Sequence, residues 1–241
     1  MLLAVPVYNE AGSLRDVFSE ILEHLPAGVD SILAIDDGSS DGSAEILDEL
    51  SRQHSGIFVR HHGQNHGYGC AMIESMKIAR KHGYSHLITM DCDQQHRPED
   101  LARFIEVDPT IDVVSGSRYL PDSRRQGNAP EDRVEINARI TARLNREYGW
   151  TLSDSFCGFK RYRMERIDAS LFEETGYAFP MEFWAYCRRL GLTIQELAVS
   201  RIYTTDSRSF GEDLDRRRKR YRYYLQTLRR AESKFLQLNR T

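Results

Sequence analysis

Two carboxylates one residue apart, Asp91 and Asp93, sit in the run Asp91-Cys92-Asp93-Gln94-Gln95-His96. His86-Leu87-Ile88-Thr89-Met90 before it reads as a buried strand, and Arg97-Pro98-Glu99-Asp100 after it reads as a helix start. Side chains of an extended segment alternate with period two, so the two carboxylates project to one side and Cys92 to the other. Like charges on one side repel and invite a cation. A hard divalent ion, held by these oxygens together with phosphate oxygens of a ligand, fits that chemistry. An acidic turn capping the next helix fits the same residues.

The element that delivers the pair is one of several alike. Residues 2–7 form a short apolar run stopped by Asn9-Glu10-Ala11-Gly12, and Leu14, Val17, Phe18, Ile21, Leu22 and Leu25 then recur at helical spacing. Residues 31–35 read as a second strand leaving through Asp36-Asp37-Gly38-Ser39-Ser40-Asp41-Gly42, with a helix marked by Ile46, Leu47 and Leu50. Residues 57–59 read as a third strand, followed by the Gly-rich 62–69 and a helix over 70–82. Strands alternating with helices of this length predict right-handed crossovers and a mostly parallel sheet covered on both faces. Ligands of such sheets bind beyond the carboxyl ends of the strands. Three of the four ends carry carboxylates: Glu10, Asp36 with Asp37, and Asp91 with Asp93. Acidic groups there suit a sugar, a ribose or a metal-complexed phosphate better than a bare phosphate.

Further along, the pattern predicts a strand over 111–117 ending at Arg118, a long polar loop over 121–131, and an arginine-bearing helix over 133–148. It also predicts strands over 156–160 and 192–199, a helix starting near Pro180, and a final basic helix from about Leu214. Tyr221, Tyr224, Leu225, Leu228, Ala231 and Phe235 form the apolar stripe of that last helix.

Composition narrows the class. A formal net charge of −3 over 241 residues leaves no overall positive field for a general nucleic-acid binder, although 216–230 is strongly basic. The four cysteines form no Cys-x-x-Cys pair, which predicts reduced thiols in a cytosolic compartment. No apolar run approaches the ~20 residues of a membrane span, and the first residues lack a signal-peptide pattern, so any membrane contact is expected to be peripheral. The position after the first strand holds Pro6-Val7-Tyr8-Asn9-Glu10, not the glycines of a dinucleotide fingerprint, and no P-loop occurs. Gly67-Tyr68-Gly69 suits either a tight turn or close approach of backbone to a ligand. His61, His62 and His66 lack a cysteine partner and read as surface or loop residues rather than a zinc site.

Taken together, Val5-Pro6-Val7-Tyr8-Asn9-Glu10, Asp36-Asp37-Gly38-Ser39-Ser40-Asp41-Gly42, Asn65-x-Gly67-x-Gly69 and Asp91-x-Asp93-x-Gln95-His96 resemble, in order and spacing, the family 2 glycosyltransferases. Gly116-Ser117-Arg118, Cys157-Gly158-Phe159-Lys160 and Gly176-Tyr177-Ala178-Phe179-Pro180-Met181-Glu182 resemble the branch of dolichyl-phosphate mannose synthases and bacterial polyprenyl-phosphate relatives. The resemblance covers roughly residues 2–203. It implies an α/β GT-A fold, with a Rossmann-like, mostly parallel central sheet, helices on both faces and a mixed C-terminal half. It implies one domain over 1–213, with a nucleotide-sugar half at 1–97, an acceptor half at 98–213, and a basic amphipathic helix at 214–241.

Residue by residue, the resemblance implies that Pro6, Tyr8 and Glu10 lie against base and ribose and that Asp37, or alternatively Asp36, accepts from the base. Asn65 and Gly67 belong to the donor site. Asp91 meets ribose or metal, and Asp93 and Gln95 hold Mg²⁺ or Mn²⁺ on the donor diphosphate. Arg118, Arg133 and Arg208 match acceptor-phosphate positions, and Glu182 is expected near sugar or acceptor. A helix-start acid stabilised by the helix dipole explains Glu182 equally. The implied reaction is inverting transfer of a hexose from a GDP-mannose or UDP-glucose type donor to a polyprenyl phosphate, at the cytoplasmic face of a membrane. The chain departs from mannose synthases over 208–214, where Arg208-Ser209-Phe210-Gly211-Glu212-Asp213-Leu214 stands, and the basic helix is open to a membrane-surface role. The rivals are the same fold with a hydroxyl acceptor and Glu182 or Asp154 as base, a nucleotidyltransferase, and a nucleotide-sugar-binding protein without turnover.

Overall fold

The computed structural model describes residues 1–203 and 214–237. Four strands run parallel in the first half: β1 (Leu2–Val7), β2 (Ser31–Asp36), β3 (Ile57–His61) and β4 (His86–Thr89). β1 and β2 are buried at nearly every position, as near-continuous apolar runs must be when helices cover both faces. Alternation sorts their side chains. Leu3, Val5 and Val7 of β1 join a core with α1 (Ala11–Glu23), α2 (Ser43–Gln53) and α4 (Leu101–Glu106). Leu2 and Ala4 join the opposite core with α3 (Tyr68–Lys81), α5 (Glu131–Tyr148), α6 (Phe179–Leu190) and α7 (Arg217–Leu236).

The second half adds β5 (Val113–Ser117), β7 (Lys160–Arg163) and β8 (Ile194–Ala198), giving seven strands in the order β3-β2-β1-β4-β7-β5-β8. Only β7 runs antiparallel to its neighbours. The expected strand over 156–160 is corrected here, because pairing starts at Lys160. Gly158 O accepts from Thr89 Oγ1 and Phe159 O accepts from Gly116 N, so residues 157–159 lie against the ends of β4 and β5 first. The long polar loop is tied down by two short strands, β6 (Arg125–Gln126) pairing with β9 (Arg201–Ile202).

Register brings the parallel strand ends to one edge: Val7 lies beside Asp36, and Asp36 beside His61. Among the described residues no helix is long and apolar enough to cross a membrane. The apolar stripe of α7, with Tyr224, Leu228, Ala231 and Phe235 buried, packs into the domain.

Candidate active site

A cavity of about 770 Å³ opens beyond the carboxyl ends of β1, β2 and β4. Its first side is acidic. Pro6, Tyr8 and Glu10 follow from β1, Asp37 from β2, Asn65 and Gly67 from the Gly-rich loop, and Asp91, Asp93 and Gln95 from β4, all lining the same space. Asp36 does not line it. Its buried carboxylate accepts from Ser39 N at 2.9 Å and His61 Nδ1 at 2.8 Å, facing away as strand alternation requires of the residue before Asp37. That removes Asp36 as the alternative base acceptor.

Asp37 is held from three directions. Oδ1 accepts from His62 Nδ1 at 2.6 Å and His66 N at 2.9 Å, and Oδ2 accepts from Gly67 N at 2.7 Å. The glycines of this loop serve neither a bare turn nor a ligand approach alone. A Cβ on Gly67 or Gly69 would overlap the backbone of residues 174–175, so these glycines let the segment before α6 press onto the start of α3.

Asp91 and Asp93 share one side, with Gln94 at φ 59° turning the chain and Gln95 N donating to Asp93 Oδ1 at 3.0 Å. Gly158 explains its own motif, because a Cβ there would overlap the Asp91 carboxylate. Burial, and then the charge of Asp91, push the Asp93 carboxyl up to about 6. Two oxygen-bearing acids repelling each other, beside the Gln95 amide, are a hard donor set of the kind a divalent cation takes. Among the described residues no group of three or more His, Cys, Asp or Glu forms a complete metal cage. A divalent ion held by Asp91, Asp93 and Gln95 would take ligand oxygens as well, the usual arrangement for Mg²⁺ with phosphates. His96 backs the pair, with Nε2 3.8 Å from Asp91 Oδ2 and the ring edge-on to Phe159.

The opposite side is cationic. Arg118, Arg133 and Arg220 line it together with Tyr119, Asn137 and Tyr203. Arg118 forks onto Asp154, Nε to Oδ2 at 2.7 Å and Nη2 to Oδ1 at 3.1 Å. Asp154 is fully buried and also accepts from Asn137 Nδ2 and Phe156 N. Burial alone would raise its pKa, but the Arg118 charge and hydrogen bonds outweigh that and hold it at about 2. An acid so strong and so enclosed is no general base, and it does not line the cavity.

Glu182 is corrected as well. It is buried, Oε2 accepts from the backbone N–H groups of Glu173 and Glu174, and Oε1 pairs with Lys234 Nζ at 3.0 Å. Together with Glu174, which accepts from Tyr223, Thr227 and Arg230, it fastens α7 to the segment before α6. Its place is behind the cavity wall, so the catalytic role expected of it is replaced by this structural one. Arg208 lies outside the described residues.

Sequence reasoning missed Arg220, Tyr68 and Tyr177. Arg220 is buried, pairs with Asp132 and donates to Leu214 O at 3.0 Å. Its signal was available: it stands one helical turn before Tyr224, on the stripe that faces the domain. Tyr177 stacks on Tyr68 with centroids 6.4 Å apart, and Tyr8 and Tyr177 stay exposed at 45% and 38%, offering flat aromatic surface at the cavity mouth.

The family model described as glycosyl transferase family 2 matches residues 3–170. The chain belongs to that family. This glycosyltransferase is 30% identical over 203 residues to an undecaprenyl-phosphate mannosyltransferase of Micrococcus luteus, covering 83% of this chain and 82% of that one. It is 29% identical over 204 residues to a polyprenol monophosphomannose synthase of Mycolicibacterium smegmatis, covering 83% and 76%. A UDP-N-acetylglucosamine–dolichyl-phosphate N-acetylglucosaminyltransferase of Methanococcus voltae matches at 26% over 228 residues, covering 88% and 89%. Among solved structures, the glucosyl-3-phosphoglycerate synthase of Mycobacterium tuberculosis superposes with a TM-score of 0.71 at 21% identity, over 96% of this chain and 79% of that one. That crystal holds Mn²⁺, uridine diphosphate and glucosyl-3-phosphoglycerate. At this identity the likeness speaks for the fold.

Proposed function

We propose that this glycosyltransferase moves a hexose from a nucleotide sugar to a polyprenyl phosphate, with inversion at the anomeric carbon. The observation that carries the reading is the cavity's division into an acidic and a cationic side, with no carboxylate base at the cationic one among the described residues. Asp154 and Asp132 are each tied to an arginine there, and Glu182 lies behind the wall. A hydroxyl nucleophile needs a positioned base, whereas a phosphate monoester is already an anion and needs cations to hold it. The three curated relatives support this choice, since their names share a polyprenyl-type acceptor while the sugars differ.

In this reading residues 1–97 hold the donor. Tyr8 lies along the nucleotide, Asp37 accepts an N–H from the base, and Asp91, Asp93 and Gln95 hold Mg²⁺ or Mn²⁺. Such an ion supplies charge neutralisation to a departing nucleoside diphosphate without a proton. Arg118, Arg133 and Arg220, with Arg208 as a further candidate, orient the acceptor phosphate. One of its oxygens attacks the anomeric carbon from the arginine side while the diphosphate leaves toward the carboxylates. A single in-line displacement inverts that centre.

Because the apolar stripe of α7 is buried in the domain, a lipid surface would meet this helix through exposed arginines such as Arg218, Arg222 and Arg229. The test is incubation of the protein and Mn²⁺ with labelled GDP-mannose, UDP-glucose or UDP-N-acetylglucosamine and either undecaprenyl phosphate or diacylglycerol. Labelled product is expected with the lipid phosphate. Product formed only with the hydroxyl lipid overturns the reading.

A further inference from the structure

His62 follows β3 and turns its ring under the Gly-rich loop, where the imidazole is only 6% exposed. Both ring nitrogens face carboxylates: Nδ1 lies 2.6 Å from Asp37 Oδ1, and Nε2 is in short contact with Glu74 Oε2 on α3. A neutral imidazole carries one N–H and can donate to only one of them. Two carboxylate partners therefore require the imidazolium. Glu74 is itself fixed by Arg60 Nε at 2.8 Å, so the line Arg60, Glu74, His62, Asp37 runs from the surface to the cavity with alternating charge.

We propose that His62 is a positioning residue for the donor site, its imidazolium clamping Asp37 so that one carboxylate oxygen stays open toward the nucleotide base. The accounting of hydrogen bonds is specific. Asp37 Oδ1 is filled by His62 and by His66 N, while Oδ2 accepts only Gly67 N among the described donors and retains a place for one more N–H. Neighbouring His61 repeats the pattern without the consequence. Its ring bridges Asp36 and Asp48, but it is 36% exposed and Asp36 does not reach the cavity.

The charge environment agrees. Burial works against protonation of His62, yet the hydrogen bonds to Asp37 and Glu74 outweigh it, and the pKa is raised. The groups facing this cluster are Asp37 after β2, Arg60 of β3, the His66 ring 5.3 Å away, and Glu74 and Cys70 of α3. Burial and then the charges of Asp37 and Glu74 push the Cys70 thiol up, so it stays neutral. The positive form of His62 is thus favoured by its two carboxylate partners and lost as pH rises through its raised value, taking one of its two hydrogen bonds with it.

The inference rests on Asp37 reading the base, and the experiment separates the two. Calorimetric binding of UDP and of GDP with Mn²⁺ is measured from pH 6 to 9 for the parent, His62→Phe, His62→Asn and Asp37→Asn, with KM and kcat for the donor alongside. Loss of a hydrogen bond to a charged group predicts nucleotide binding weakened about tenfold in His62→Phe, seen as a raised donor KM with kcat retained. His62→Asn keeps a donor at the Nδ1 position, and binding within about threefold of the parent at pH 7 is expected on the same basis. Above pH 7, clear of the Asp93 carboxyl at about 6, affinity in the parent falls as pH rises, and that fall is absent in His62→Asn. Unchanged affinity in His62→Phe beside weakened binding in Asp37→Asn overturns the clamp alone. Unchanged affinity in Asp37→Asn overturns the reading of Asp37 and the clamp with it. Should His62→Phe fail to fold, the pH profiles of the parent and His62→Asn decide, and identical profiles overturn the proposal.

Discussion

Asp93 lines the cavity on its acidic side and Asp154 lies buried behind Arg118 on its cationic side, and the protein treats the two in opposite ways. Asp93 is pushed up to about 6 by burial and by Asp91, whereas Asp154 is held at about 2 because Arg118 more than offsets its burial. The acidic side is electrostatically incomplete without a cation. The cationic side is already compensated, each named arginine–aspartate pair being folded into the wall. An enzyme that must release its donor nucleotide gains from a site whose charge is balanced only when loaded. A site that holds a lipid phosphate needs arginines fixed in orientation, and carboxylate partners do that.

The comparison is broken most decisively by removing a carboxylate of the acidic side. Asp93→Ala is expected to reduce transfer about 10⁴-fold, several kcal/mol being what a Lewis acid supplies, with metal-dependent nucleotide binding lost in the same calorimetric titration. Nucleotide affinity that ignores metal in the parent would show the acidic side to be complete on its own. On the other side, Asp154→Ala leaves Arg118 buried without its partner and should cost about 3–5 kcal/mol in urea unfolding. The signs differ with pH as well. A depressed carboxylate contributes stability that is full above its ordinary value near 3.9 and lost as pH falls toward about 2. The acid limb of the parent's melting curve should therefore be blunted in Asp154→Asn.

Smaller effects sharpen the contrast. Glu182→Gln should lower stability by about 1–3 kcal/mol, through weakened hydrogen bonds to a buried charged group, with kcat within twofold of the parent. A thousandfold fall in kcat instead would restore Glu182 as a base. Arg220→Met is expected to raise the acceptor KM about tenfold while nucleotide affinity stays put. A change confined to the nucleotide would move Arg220 to the other side of the cavity.

The two sides were also unequally legible. Each acid of the donor side stands within a few residues of a strand it follows, so period-two alternation and the parallel-sheet rule were enough to gather Glu10, Asp37, Asp91 and Asp93. The same alternation, read one residue more strictly, separates Asp36 from Asp37. The cationic side offers no such local sign. Arg118 and Asp154 are 36 residues apart, Arg220 and Asp132 are 88 apart, and Glu182 at a helix start looked equally suited to catalysis and to structure. His62 was passed over because a histidine shows its partners only once Glu74 of α3 is folded back beside Asp37.

Apolar periodicity thus determined a mostly parallel sheet and its helical cover, the strand ends gathered the acidic half of the cavity, and the resemblance of the motifs implied the family and its GT-A fold, since each of these rests on residues near one another in the chain. Tertiary structure alone decided which carboxylates are available and which are consumed. Asp154, Glu174 and Glu182 are taken up by cations from distant segments, and Gly67 and Gly69 admit a backbone more than 100 residues away. The physical reason is that charge is compensated by whatever the fold brings within about 4 Å, and sequence spacing carries no record of that distance.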